Sequence, residues 1–173
     1  MKLRDAVSHD APLIARLHTT SWRSAYQGIF SAEYLAGAIE QERLNYWLEK
    51  FDTQQADHTV IVAEDDSLPV GFVSVFGAKD PHWGSLVDNL HVLPATKGKG
   101  FGIALLKAAA RWVFNNHPGD GLYLWCYEQN LPSRQFYERC GGKIVEIKSE
   151  TVPGGTTLNA LRYYWEKPEN LAG

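Results

Sequence analysis

Between Ser85 and Trp112 the chain reads SLVDNLHVLPATKGKGFGIALLKAAARW: an apolar stretch of strand length, a glycine-rich turn and a helix-forming run. Few folds accept that order, because Gly98, Gly100 and Gly102 bring bare backbone to the start of a helix, where the first N–H groups lack helical partners and the dipole is positive. Without Cβ atoms the turn lets an anion approach those groups, and Lys97 and Lys99 add two charges beside it. The stretch predicts a phosphate site, with pyrophosphate as its natural guest.

Other nucleotide-binding turns fit less well. A dinucleotide fold needs GxGxxG and an acid about twenty residues on, where this chain has the loop NNHPGDG. A P-loop needs Ser or Thr after its GK pair, and Lys99 is followed by Gly100. What remains is Lys97-x-x-Gly100-x-Gly102 after Val92-Leu93-Pro94. It resembles the coenzyme A signature of the GCN5-related N-acetyltransferases (GNAT), in which Arg or Gln usually stands where this chain has Lys97. A second segment, Asn130-x-x-Ser133-x-x-Phe136-Tyr137-Glu138-x-x-Gly141, is similar to that family's other coenzyme A segment, and the two occur in the family's order and at a usual separation.

The resemblance implies an α/β fold of the α+β type: one central mixed, mostly antiparallel sheet of about six to seven strands, helices on both faces, and a parallel pair that splays at the cofactor site. It implies acetyl-CoA as cofactor. Leu90, His91 and Val92 would lie along the pantetheine arm, with Leu90 and Val92 pairing to it through their backbones. Lys97, Gly98, Lys99, Gly100, Phe101, Gly102 and Ile103 would wrap the pyrophosphate. Asn130, Ser133, Phe136 and Tyr137 would flank the rest.

A chain of 173 residues is about one domain with one core. We assign residues 1–167 to it and expect the tail, 168–173, to fray. A net charge of −3 is too weak to suggest nucleic acid as a partner. No apolar run approaches a membrane span and the start MKLRDAVSHD lacks a signal segment, so the expected location is the cytoplasm. Cys126 and Cys140 have neither metal nor redox spacing and the six histidines are scattered, so no metal is predicted.

Periodicity orders the rest. A first strand, Lys2 to Val7, precedes a helix carrying Leu13, Ile14, Leu17, Ser21 and Ala25 on one face, with Trp22 and Tyr26 on a neighbouring one. A second helical region, Ser31 to Phe51, breaks near Gly37. HTVIVAED and VGFVSVFG form a hairpin, and GLYLWCY reads as a strand covered on both faces. Two closing strands flank Val152-Pro153-Gly154-Gly155; a homodimer built through such strands is common in the family the chain resembles, and the oligomeric state is left open. Strict alternation in the central strand places Asp88 with Leu86, Leu90 and Val92, and His91 on the opposite face.

Acetyl transfer to an amine needs a neutral amine, a polarised carbonyl and a proton for the departing thiolate. Tyr137 is the candidate acid, since a phenol of pKa about 10 holds its proton at neutral pH. For the base, Asp88 ranks ahead of His91, with water as a third possibility. An acid at the acceptor mouth, with Trp22, Tyr26 and Trp83 around it, would suit a cationic amine such as a polyamine, an amino acid derivative or an aminoglycoside; a peptide N-terminus fits equally. The leading reading is an acetyl-CoA-dependent N-acetyltransferase for a primary amine of a small molecule or peptide. Its alternatives are a non-catalytic acyl-CoA-binding domain, or an acyltransferase for hydroxyl acceptors or longer acyl groups.

Overall fold

A computed structural model describes residues 1–53, 56–152 and 155–172. Seven strands form one sheet in the order β1-β2-β3-β4-β5-β7-β6. They are β1 (Lys2–Asp5), β2 (His58–Asp65), β3 (Leu68–Asp80), β4 (Gly84–Val92), β5 (Leu122–Tyr127), β6 (Lys143–Thr151) and β7 (Thr157–Trp165). Only β4 and β5 run parallel; every other neighbouring pair is antiparallel. This is the expected fold class.

Helices cover both faces. On one lie α1 (Ala11–Ala25), α2 (Ala32–Ala36) and α3 (Ile39–Asp52), on the other α4 (Phe101–Asn116) and α5 (Leu131–Arg139). Alternate residues of β2 and β3 therefore enter different cores. Val60, Val62 and Phe72 pack with Ile14 and Trp47, while Ile61, Ala63, Val73 and Val75 pack with Leu105, Leu106 and Ala109. Burial on both sides is why β2 reads as an unbroken apolar run. The β2–β3 hairpin turns on Asp66 and Ser67, both left-handed (φ 46° and 67°), as a two-residue loop matching the strand twist requires.

Three expectations change. The tail does not simply fray: Glu169–Ala172 form a short helix, α6, that packs on α4, and Leu171 is buried in the larger core, where an apolar side chain gains by leaving water. In β5 the Leu122, Leu124 and Cys126 face is packed in that core, whereas the other is covered unevenly: Tyr123 is buried against Arg162, and Trp125 and Tyr127 are half-buried beside a cavity. The third concerns β4. Ser74 faces Asn89 but its neighbour Val75 faces Val87, so Asp88 is an extra residue, a β-bulge. Alternation stops there. Asp88 and His91 both meet the α1 and α3 side, whereas Leu90 and Val92 pack on the α4 core, so the expected opposition of Asp88 and His91 is overturned. The closing strands form as expected, although Pro153 and Gly154 of their turn lie outside the described residues.

Candidate active site

The bulge also bends the strand that carries it. β4 and β5 pair only at Ser85–Leu122 and Leu86–Tyr123, and beyond those two positions they part. Leu93 sends its N–H to Val70 of β3 (2.8 Å). Because successive residues of a strand turn their N–H groups to opposite sides, those of Val92 and Leu90 point into the gap that β5 has left. The splay turns sheet backbone into an unfilled hydrogen-bonding edge.

A cavity of about 690 Å³ occupies this gap and opens on both faces of the sheet. Toward α4 it is lined by Lys97, Gly98, Gly100, Gly102 and Ile103, and toward α5 by Asn130, Ser133, Phe136 and Tyr137. Gly98 and Gly100 are left-handed (φ 80° and 86°), and a Cβ would meet nothing within 4 Å at the first and only the Met1 Cε, at 3.8 Å, at the second. The turn is thus open backbone. The N–H of Ala104 is the first to bond back along α4, to Gly100 (3.1 Å), which leaves those of Phe101, Gly102 and Ile103 without helical acceptors at the positive end of the dipole. These groups fit a pyrophosphate.

Two of the expected turn residues stand apart. The Lys99 ammonium lies 4.0 Å from Asp65 and does not line the cavity, and the Phe101 ring is buried in the core, leaving only its backbone to the site. On α5, Asn130 does two things: its Oδ1 caps the helix by accepting from the Ser133 N–H (3.4 Å), and it borders the cavity. Tyr137 is buried among apolar groups, which holds its phenol pKa well above 10.

The other half of the cavity lies against α1. Ser21, Trp22 and Tyr26 form one wall, Asp88, Asn89 and His91 the floor, and Trp125, Tyr127, Lys148 and Glu150 the far side. Asp88 is fixed through one oxygen: its Oδ2 accepts from the Tyr46 hydroxyl (2.6 Å) and from Asn89 Nδ2 (2.7 Å), with the Lys50 ammonium 3.6 Å away, and none of these uses Oδ1. His91 stacks on His18 (4.5 Å between ring centroids), and its Nδ1 lies 3.1 Å from Ser21 Oγ. Burial, aided by the charges of Arg43 and Lys97, pushes its pKa down to about 3, so the imidazole is neutral at physiological pH. Glu150 accepts from the Tyr127 hydroxyl (2.8 Å) and pairs with Lys148 (3.0 Å).

Trp83 is not in this cavity. It sits on the β3–β4 turn against Tyr164 and Arg162, because the Asp80 carboxylate accepts the His82 and Trp83 N–H groups and folds the turn away. The sequence reading had also passed over Ser21, Tyr46, Trp125, Tyr127, Lys148 and Glu150. Period-two spacing inside LYLWCY could have separated Trp125 and Tyr127 from their core-facing neighbours.

Residues 17–142 match the Acetyltransferase (GNAT) family. The chain belongs to that family. It is an N-acetyltransferase, with acetyl-CoA as the family's acetyl donor. Among curated relatives, a probable N-acetyltransferase of Mycobacterium tuberculosis is 30% identical over 143 residues, covering 80% of this chain and 78% of that protein. Among solved structures, the PaiA N-acetyltransferase of Thermoplasma acidophilum in complex with coenzyme A superposes with a TM-score of 0.74 at 21% identity, over 95% of this chain and 98% of that one. A putative acetyltransferase of Salmonella typhimurium, yncA, solved with acetyl-CoA, gives 0.66 at 18% identity, over 95% and 92%. Among the described residues no helix is long and apolar enough to cross a membrane, and no group of side chains could hold a metal ion.

Proposed function

We propose that this acetyltransferase acts on a primary amine of a small molecule or peptide, which enters from the α1 side and attacks the acetyl group directly. The observation that carries the reading is the single cavity that joins an anion-binding turn on one face of the sheet to an aromatic, carboxylate-bearing chamber on the other. Acetyl-CoA, when bound, supplies an acetyl thioester open to an amine nitrogen. Lys97 and the turn backbone hold the pyrophosphate, and Leu90 and Val92 offer their free backbone groups to the pantetheine arm.

Proton handling falls to two residues. Tyr137 keeps its phenolic proton at any pH the protein meets, since burial raises its pKa, and can give it to the departing sulfur. Asp88, anchored through Oδ2 and bordering the cavity, takes the amine's proton directly or through water. His91 ranks below it as a base, because its surroundings disfavour the imidazolium.

Exposed Ile144, Val145 and Ile147 on the edge strand β6 support a homodimer through the closing strands. Both cysteines are free, as a reducing cytoplasm would keep them. The test is release of free CoA from acetyl-CoA across a panel of amines, with wild type and Tyr137→Phe. Turnover with at least one amine, reduced by the substitution, is expected; no CoA release with any amine, despite acetyl-CoA binding, would sink the proposal.

A further inference from the structure

His91 has no part in the proton transfers assigned to Asp88 and Tyr137, yet its ring borders the acceptor half of the cavity beside Ser21. The two side chains meet at 3.1 Å, serine Oγ to imidazole Nδ1. Ser21 is buried on α1, and among the described residues this Nδ1 is the one hydrogen-bond partner of its hydroxyl. A buried hydroxyl has to place its proton on an acceptor, so Ser21 donates and Nδ1 accepts. Burial holds the imidazole pKa down at about 3, which leaves the ring a single proton at neutral pH. That proton is on Nε2.

His18, stacked on His91 at 4.5 Å between centroids, has the same tautomer by a separate route: Trp47 Nε1, which can only donate, reaches its Nδ1 at 3.1 Å. The two Nε2 atoms differ in what surrounds them. That of His18 is sealed in the core without a partner. That of His91 is not sealed in, has no protein partner among the described residues, and belongs to a ring that lines the cavity. It is a fixed N–H offered to whatever occupies the chamber. A nitrogen that already carries its proton has no lone pair with which to deprotonate an amine, so through this atom the ring binds and does not act as a base. Its natural partner is an oxygen. Asp88 and Glu150 line this half against Lys148, which is itself 3.0 Å from Glu150, so an anionic oxygen is disfavoured and an uncharged one is not.

We propose that His91, set in one tautomer by Ser21, is a specificity-determining hydrogen-bond donor, and that the amine this enzyme acetylates carries an uncharged oxygen for it, a hydroxyl or an amide carbonyl. The inference rests on the reading of this chamber as the amine site. Ser21 acts in it as a positioning residue. With the amine at Asp88, on the same side of the sheet, the oxygen of the acceptor lies along β4 toward His91.

The test has two arms. Long-range proton–nitrogen NMR of the isotope-labelled protein reads which ring nitrogen carries the proton: His91 should be protonated at Nε2 alone, and Ser21→Ala should turn this into a mixture of both tautomers. Acetylation is then measured over amino alcohols and amino amides, each beside the alkylamine of the same shape that lacks the oxygen. At least one oxygen-bearing amine should show kcat/KM about tenfold above its alkylamine, the upper end for a hydrogen bond between uncharged groups. His91→Leu should erase that preference and Ser21→Ala should lower it. His91→Gln, whose amide N–H extends toward the Nε2 position and cannot serve as a base, should keep part of it. Hydroxyl against amide separates an amino alcohol from a peptide as the source of the oxygen. A proton on Nδ1 in the wild type, no preference for the oxygen, a preference that survives in His91→Leu, a loss in His91→Gln as deep as in His91→Leu, or an equal fall for every amine, which would put the donor on the thioester, would each overturn the inference. CoA release without the preference leaves the amine reading of the chamber in place, whereas no CoA release with any amine removes both.

Discussion

The Tyr46 hydroxyl donates to Asp88 Oδ2 at 2.6 Å, from a helix forty-two residues away in sequence, and so anchors the carboxylate through one oxygen. The tyrosine keeps the proton it donates. Burial and the neighbouring carboxylate raise its pKa far above that of a free phenol. Tyr46→Phe should therefore lower kcat/KM about tenfold, the worth of one charge-assisted hydrogen bond. Acetyl-CoA affinity should barely change, since the residue lies on the acceptor side. Steady-state kinetics with the best amine, beside a thermal shift with acetyl-CoA, separates the two; equal loss in both would mean that Tyr46 supports the fold and does not orient Asp88.

Tyr137→Phe removes the proposed proton donor and leaves the ring in its core. Turnover should fall roughly 10²-fold, within the range of general acid catalysis, while the acetyl-CoA dissociation constant stays within a factor of about two. A variant with wild-type turnover would take Tyr137 out of the chemistry and leave it as packing against Tyr163 and Trp165.

At Gly100 the backbone is left-handed (φ 86°) and the space around it is open. Gly100→Val should cost the apoprotein about 1–2 kcal/mol in backbone strain. Its larger effect should be on the anion, because a side chain would stand where phosphate oxygens approach: acetyl-CoA binding should weaken by more than about tenfold. Calorimetry on the folded variant measures this, and unchanged affinity would place the pyrophosphate elsewhere.

Three histidines are held neutral: the buried His18, with its pKa well below 6.5, and the half-buried His58, at about 4, and His91, at about 3, each chiefly through loss of solvent. The unfolded chain protonates them near 6.5 and the folded chain does not, so the stability they allow is full above pH 6.5 and falls as the pH drops toward 4 and then 3. Between pH 6.5 and 5 the loss should be roughly 1–2 kcal/mol for the fully buried His18, and less for the partly exposed His58 and His91. The melting temperature should drop by several degrees between pH 7 and 5, and by less in His58→Gln, which retains a polar group toward Ser74. A flat profile would mean that these imidazoles are reached by solvent.

Much of this molecule was legible in its sequence wherever the determinant was local. Glycines at 98 and 100 allow left-handed backbone at the head of a helix without steric cost, and Asn130 caps α5 because its side chain reaches its own neighbours. Alternating and continuous apolar runs marked the strands for the same reason: burial on one face or two depends on period. The acceptor half was not legible in this way. Nearness in sequence to Asp88 places Trp83 there, yet a turn closed on Asp80 carries it off, while Tyr46 and Glu150 arrive from α3 and β6.

What the sequence by itself determined is the anion-binding turn, the order of strands and helices, and the pairing of two coenzyme A segments, because each is encoded by residues within a few positions of one another. The tertiary structure alone decided how the charges of the acceptor chamber combine. The bulge at Asp88 depends on the register between β3 and β4, and it turns Asp88 and His91 to one side; the pairing of Asp88 with Lys50 follows from how α3 lies on that surface. Side-chain charge is written in the sequence, but which charges cancel depends on distances of a few ångströms that only packing sets.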